Sequence, residues 1–170
     1  NSASNARAAI VVVGEASYTH GTNWPKEQPY LPADQLSIIQ NFKNAGVPVV
    51  VVLVLPRPYV ITEWRDLADA IVVIYRSGEE NAVPLANLLW GDTTPKGKLP
   101  WQLPRDINQI LKPGGTDTLA DANEKWDLPY DLGATDAQRQ DIRNKIDAGQ
   151  VVPSTYGDPL YPYGFGMTSF

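Results

Sequence analysis

Three uninterrupted apolar runs, rich in β-branched residues, govern what this chain can become. Ala8 to Gly14 reads AAIVVVG, Val49 to Leu55 reads VVVVLVL, and Ala70 to Tyr75 reads AIVVIY. A strand with one face in water alternates apolar and polar residues; a strand buried on both faces of a parallel sheet does not. Helical patterns separate the runs. Asp34 stands where an N-cap would, ahead of Leu36, Ile39 and Phe42 at helical spacing, and Gly46 closes that helix. A turn at Ser77-Gly78 opens a second helix, whose Val83, Leu85, Ala86, Leu88 and Leu89 form a broad apolar face and which Gly91 ends. Strands alternating with helices imply parallel pairing through right-handed crossovers, so the class is α/β. The sheet is small and mostly parallel, with Rossmann-like or flavodoxin-like order: three strands, or four if Lys98 to Leu103 joins.

The rest of the chain has a different texture. Pro56-Arg57-Pro58 stops the second run, and a short polar stretch containing Trp64 precedes the third. Residues 105–158 are loop-rich and carry one clear helical pattern, Asp136 to Ala148. Their low apolar content places them on the surface rather than in a second core. The domain plan is therefore a linker or cloning remnant over residues 1–6 and a single α/β domain over 7–170. A net charge of −5, with no basic cluster, argues against nucleic acid as a partner. No apolar run approaches the roughly 20 residues that span a bilayer. With no cysteine and one histidine, neither a thiolate nor a histidine metal site is expected, nor any cofactor. Motifs for dinucleotides, for nucleoside triphosphates and for a serine nucleophile elbow are missing after every strand.

Ligands of open parallel sheets sit beyond the carboxyl ends of the strands. Those ends lead into Glu15 to Pro25, Pro56 to Pro58 and Arg76 to Asn81, so the rim offers Glu15, Tyr18, His20, Trp24, Arg57, Arg76, Glu79 and Glu80. Aromatic rings beside carboxylates and arginine suit a sugar, which stacks on one and hydrogen-bonds to the other; exposed loops are also polar with no ligand to hold. Glycoside cleavage needs two carboxyl groups, roughly 5–5.5 Å apart for retention and further for inversion. Glu79 and Glu80 are adjacent, but at a helix start their simpler role is to complement its positive end. His20 has a side chain suited to acid–base work, without an identified nucleophile beside it.

Several phrases together resemble the C-terminal α/β-sandwich domain of glycoside hydrolase family 3, the β-glucosidase and exo-β-glucanase family. They are Ala9 to Glu15 followed by Tyr18, Val49 to Pro58, Ala68 to Val73, Gly78-Glu79-Glu80 leading to Leu88-Leu89-Trp90-Gly91-Asp92, then GKLP at 97–100, Leu103-Pro104-Arg105, and YPYGFG at 161–166. They occur in the family's order. The resemblance implies a three-layer α/β sandwich, β-linked glucosides or glucans as ligands, and a parent protein outside the cell or in the periplasm. It also implies a retaining two-domain enzyme, in which an N-terminal barrel carries an aspartate nucleophile and this domain covers the active site.

In one branch of that family the domain contributes the acid/base glutamate, from a pattern like G-E-x-x-Y-x-E. Here the sequence is Gly14-Glu15-Ala16-Ser17-Tyr18-Thr19-His20, so His20 holds the glutamate's position. The family's S-G-R-P stands as Leu55-Pro56-Arg57-Pro58. The histidine acid/base of another branch comes from a barrel loop, so His20 does not inherit that role. No catalytic residue is therefore assigned; Tyr18, His20, Trp24, Arg57 and Glu80 are candidates to face substrate. Two readings follow: a non-catalytic module for binding, spacing or assembly, or the accessory domain of an active β-glucosidase. The family's domain has a further strand–helix–strand portion ahead of the first phrase, so a sheet of three or four strands would leave apolar surface open to association.

Overall fold

In the computed structural model, the described residues are 6–15, 30–56, 58–75, 78–106, 137, 140, 141, 144, 145, 148, 159–162 and 164–167. The three apolar runs form strands β1 (Ala9–Gly14), β2 (Val49–Val54) and β3 (Ala70–Ile74). They pair in parallel in the order β1-β2-β3, with rows such as Val11↔Val51↔Ile71 and Gly14↔Val54↔Ile74. This stepwise order matches one half of a Rossmann sheet, in which successive strands add to one side. Helix α1 (Ala33–Asn44) makes the first crossover; a buried connection with a 3₁₀ turn, Arg65–Leu67, makes the second.

The two sheet faces fare differently. Ala9, Val11, Val13, Val49, Val51 and Leu53 point into a core with Ile39 of α1, partly covered by Leu36 and Phe42. On the opposite face Val52 and Val72 are buried, yet Ile10 and Val12 of β1 are 51% and 61% exposed. The expectation of burial on both faces thus holds for the centre of β2 and fails for β1. The reason is position: among the described residues β1 lies at an edge of the sheet, and same-handed crossovers between strands added in one direction put both connections on one face. Helix α2 (Ala82–Trp90) does not make up the deficit: none of its residues is buried, and Val83 and Trp90 are strongly exposed.

Other local expectations are corrected in instructive ways. Asp34 is not the cap of α1; Pro32 takes that position without a side-chain hydrogen bond, and Asp34 lies in the first turn. Proline's fixed φ sets the entry, and the carboxylate complements the helix dipole from within. Lys98 to Leu103 is not a fourth strand. Pro100 lacks the N–H that a ladder needs, and the β-bridge that the segment forms among the described residues is the isolated antiparallel Leu103↔Tyr161. The stretch after Pro58 is buried rather than polar: Tyr59, Val60, Ile61 and Trp64 all pack inside. Within 136–148, the described residues 137, 140, 141, 144 and 145 are helical, in line with the pattern there.

The phrases at 97–105 and 161–166 meet in space. Leu99 N–H donates to the Phe165 carbonyl at 2.8 Å, Gly164 N–H to Leu99 at 2.9 Å, and Leu103 N–H to Tyr161 at 2.9 Å. A Cβ on Gly166 would stand 2.7 Å from the Gly97 carbonyl oxygen, so only glycine permits that approach. Tyr161 and Phe165 stack with ring centroids 4.6 Å apart, and the Arg65 guanidinium lies 5.9 Å from the Tyr161 ring centre. At the amino ends of the strands, the Asp69 carboxylate accepts from Val49 N–H at 2.8 Å and from Lys43 Nζ at 3.2 Å. Asp69 N–H donates back to the Val49 carbonyl at 2.8 Å, closing a ring that joins β2, β3 and the last turn of α1.

Candidate functional site

The strand register defines the rim. Beyond the row Gly14↔Val54↔Ile74 come Glu15, Leu55 and Tyr75, side by side because Glu15 N–H donates to Val54 at 3.2 Å and Leu55 N–H to Ile74 at 3.1 Å. Continuity of the ladder thus fixes where each strand releases its loop. Gly14 is essential to that closeness: a Cβ there would sit 2.1 Å from the Val54 carbonyl oxygen. Glu15, the first residue past β1, is buried. Leu55 between its neighbours is fully enclosed, which keeps the middle of the row apolar.

At the β3 end, the Tyr75 ring meets Trp101 edge to face, with centroids 5.2 Å apart and planes at 88°. The positive ring edge against a π-face is a favourable pairing. Burial pushes the Tyr75 phenol above its ordinary pKa, because the phenolate would lose hydration there. Trp101 belongs to the segment stapled to the chain's last described residues, so that staple also supports the rim. The buried Trp101 Nε1–H has no hydrogen-bond partner among the described residues.

Of the candidate residues, Tyr18, His20, Trp24 and Arg57 lie outside the described residues. Their described neighbours in the chain are Glu15, Tyr30, Pro56 and Pro58, so the first three follow β1 and Arg57 follows β2. Glu80 is described: with Glu79 it forms the exposed 3₁₀ turn Glu79–Asn81 that leads into α2. That position suits the dipole-complementing role. Among the described residues, no three His, Cys, Asp or Glu side chains gather in the manner of a metal site.

Three rim contributors escape a reading of loops alone. Tyr75 is the final letter of an apolar run, Trp101 lies in a Pro-rich turn, and Gln35 is a polar residue in a helix. Gln35 reaches Gly14 with both ends of its carboxamide: Oε1 accepts from Gly14 N–H at 2.8 Å and Nε2 donates to the Gly14 carbonyl at 3.1 Å. Elsewhere, Tyr30 is held above its ordinary pKa by burial first and by Glu63 and Asp106 next.

The profile of the glycosyl hydrolase family 3 C-terminal domain matches residues 1–169. A periplasmic beta-glucosidase of Salmonella typhimurium is 33% identical over 98% of this chain and 20% of its own length. A beta-xylosidase of Formosa agariphila is 30% identical over 65% of this chain and 15% of its own length. The chain thus spans about a fifth or less of the length of these curated relatives. Among solved structures, a beta-glucosidase from Listeria innocua in complex with isofagomine superposes with a TM-score of 0.63 at 24% identity, covering 96% of this chain and 21% of that one. A b-glucosidase from Erythrobacter marinus gives 0.64 at 20% identity, covering 98% and 20%. These structural likenesses speak to the fold.

Proposed function

The chain belongs to the glycosyl hydrolase family 3 C-terminal domain family, matched over residues 1–169, and from that premise we propose that it is a non-catalytic module of β-glucoside or β-glucan degradation. Its work is to present a sugar-facing rim, to space, or to assemble with other modules of a parent protein. What supports this reading is a contrast between scaffold and loop: the family match runs through the whole core, while in the pattern Gly14-Glu15-x-x-Tyr18-x-His20 the resemblance sets His20 where one branch of the family has its acid/base glutamate. The double displacement of a retaining glycosidase needs a nucleophile and an acid/base carboxyl group; the resemblance assigns the nucleophile to an N-terminal barrel, and His20 stands where one branch of the family has the acid/base glutamate. Tyr18, His20, Trp24 and Arg57 supply stacking and hydrogen bonding instead, with Glu80 at the third strand's rim. Residues 7–170 form one domain in this reading, with 105–158 a loop-rich surface segment.

Three measurements test it. The chain alone should show no hydrolysis of an aryl β-glucoside; turnover that His20→Ala abolishes would overturn the reading. Titration with cello- and laminari-oligosaccharides should perturb tryptophan fluorescence, and Trp24→Ala should remove part of that response. A calorimetric titration without heat at millimolar oligosaccharide would leave spacing or assembly as the module's role.

The coverage of the Salmonella relative favours a second reading. Here the domain completes the active site of an N-terminal barrel carrying the aspartate nucleophile, in a periplasmic or extracellular β-glucosidase. A barrel in the same reading frame, active only when joined to this domain, would decide for that reading.

A further inference from the structure

Two links in series join the segment at 161–166 to the end of β3. The first is made of backbone. Leu99 N–H donates to the Phe165 carbonyl at 2.8 Å and its own carbonyl accepts from Gly164 N–H at 2.9 Å, while Leu103 and Tyr161 exchange N–H donors at 2.9 and 3.3 Å. The stretch 99–103 is therefore held at both ends, and Trp101 stands midway between the anchors. Gln102 and Leu103 beside it are buried. Tyr161 is fixed in turn by the Phe165 ring stacked on it and by Arg65, whose Nη1 donates to its hydroxyl at 3.3 Å. The second link is aromatic: the Trp101 ring meets Tyr75 edge to face, and Tyr75 directly follows β3 at the rim.

Hydrogen bonding does not explain where the indole sits. Its Nε1–H is buried without a partner, which is unfavourable, and water would satisfy it if the ring swung out. The place of Trp101 is thus imposed by the anchors on either side, and loosening them favours departure of the indole from Tyr75. We propose that staple and rim form one conformational device in which Trp101 is the positioning residue. With 161–166 seated on 97–105, the indole holds Tyr75 at the end of β3; unseating that segment frees both rings. The coupling stands whether or not the rim binds a sugar. Burial, which raises the Tyr75 pKa, gives it a readout separate from the hydrogen bonds of the staple itself.

The test uses the whole 170-residue chain as wild type, Trp101→Ala, Trp101→Phe and Gly166→Ala. The last changes neither ring but sets a Cβ 2.7 Å from the Gly97 carbonyl oxygen, inside the staple. Tyrosine-ring NMR follows the Tyr75 titration, its signal assigned from Tyr75→Phe, and amide exchange follows Leu99, Leu103 and Val51. In the wild type Tyr75 should titrate above the ordinary value of about 10. Trp101→Ala should bring that titration down toward the ordinary value, and Trp101→Phe, which keeps a ring against Tyr75, should retain at least half of the upward shift. Gly166→Ala should cut Leu99 and Leu103 protection at least tenfold, leave Val51 protected, and lower the Tyr75 titration as Trp101→Ala does. A Tyr75 titration that keeps its wild-type value while Leu99 and Leu103 lose protection would overturn the coupling. So would unchanged protection in Gly166→Ala, a uniform loss that includes Val51, or a wild-type Tyr75 that titrates at the ordinary value. Trp101→Ala without effect on Tyr75, or Trp101→Phe as damaging as alanine, would remove Trp101 from the positioning role. Should Gly166→Ala not fold, Phe165→Ala, which removes the stack on Tyr161, replaces it under the same criteria; should Trp101→Ala not fold, the staple variant decides.

Discussion

The two ends of the three-stranded sheet are fastened by different chemistry. At the amino ends, an exposed carboxylate, Asp69, joins β2, β3 and α1 through Val49 and Lys43. At the carboxyl ends, a neutral amide and a close glycine contact hold the Gly14 row, with Tyr75 braced on Trp101. Charge fixes the end remote from the rim, where water screens it and pH can loosen it. At the rim, neutral groups hold Gly14 and Tyr75, with the buried Glu15 beside them.

The largest break in this contrast comes from Gly14→Ala. The added methyl meets backbone rather than a flexible side chain, and such overpacking costs about 3 kcal/mol in urea-induced unfolding. Tyr75→Leu ranks next; loss of the edge-to-face contact costs about 1 kcal/mol. Its pH signature sharpens the point. Because the folded-state pKa of Tyr75 is raised, the wild type holds that stability below the unfolded value of about 10 and loses it as pH rises through the folded value. Tyr75→Phe should lack that share of the alkaline loss.

Asp69→Asn has a smaller effect with the opposite pH behaviour. Its pKa is lowered, first by the Val49 N–H and then by Lys43. The stabilisation is therefore complete above the unfolded value of about 4 and disappears as pH falls through the folded value. Thermal melts of wild type and Asp69→Asn should separate at pH 7 and converge near pH 2. Smallest of all is Tyr161→Phe, which removes the 3.3 Å hydrogen bond from Arg65 yet keeps the stack on Phe165, and should shift stability by less than about 0.5 kcal/mol.

The strands were legible because β-branched runs have few other places to go. AIVVVG, VVVVLV and AIVVI begin and end within a residue or so of their apolar runs. Edge position was not legible, because a run of valines looks alike at the rim and the centre of a sheet; only pairing order tells Val12 from Val52. Asp34 failed as a cap because Pro32 had already set the backbone two residues earlier. The burial of Tyr59 to Trp64 was hidden by Thr62 and Glu63, two polar letters in a segment whose other members turn inward. Gln35 left no local signal, since its partner Gly14 is remote in sequence and the contact exists only once α1 packs beside β1. For Tyr18, His20, Trp24 and Arg57, sequence supplies chemical character and chain position, and binding measurements must supply the rest.

The bridge Leu103↔Tyr161 has a consequence for how this chain can be edited. Arg105 Nη2 reaches the Pro159 carbonyl at 3.4 Å, so the chain departs at Asp106 and returns at Pro159 through one doorway. Ring closure has already been achieved there by the staple, and its entropy varies only slowly with the length enclosed. The register of the sheet is set instead by pairings among residues 9–74, so an insertion placed just inside the doorway, after Asp106 or before Pro159, adds little closure entropy and leaves those pairings to be formed as before.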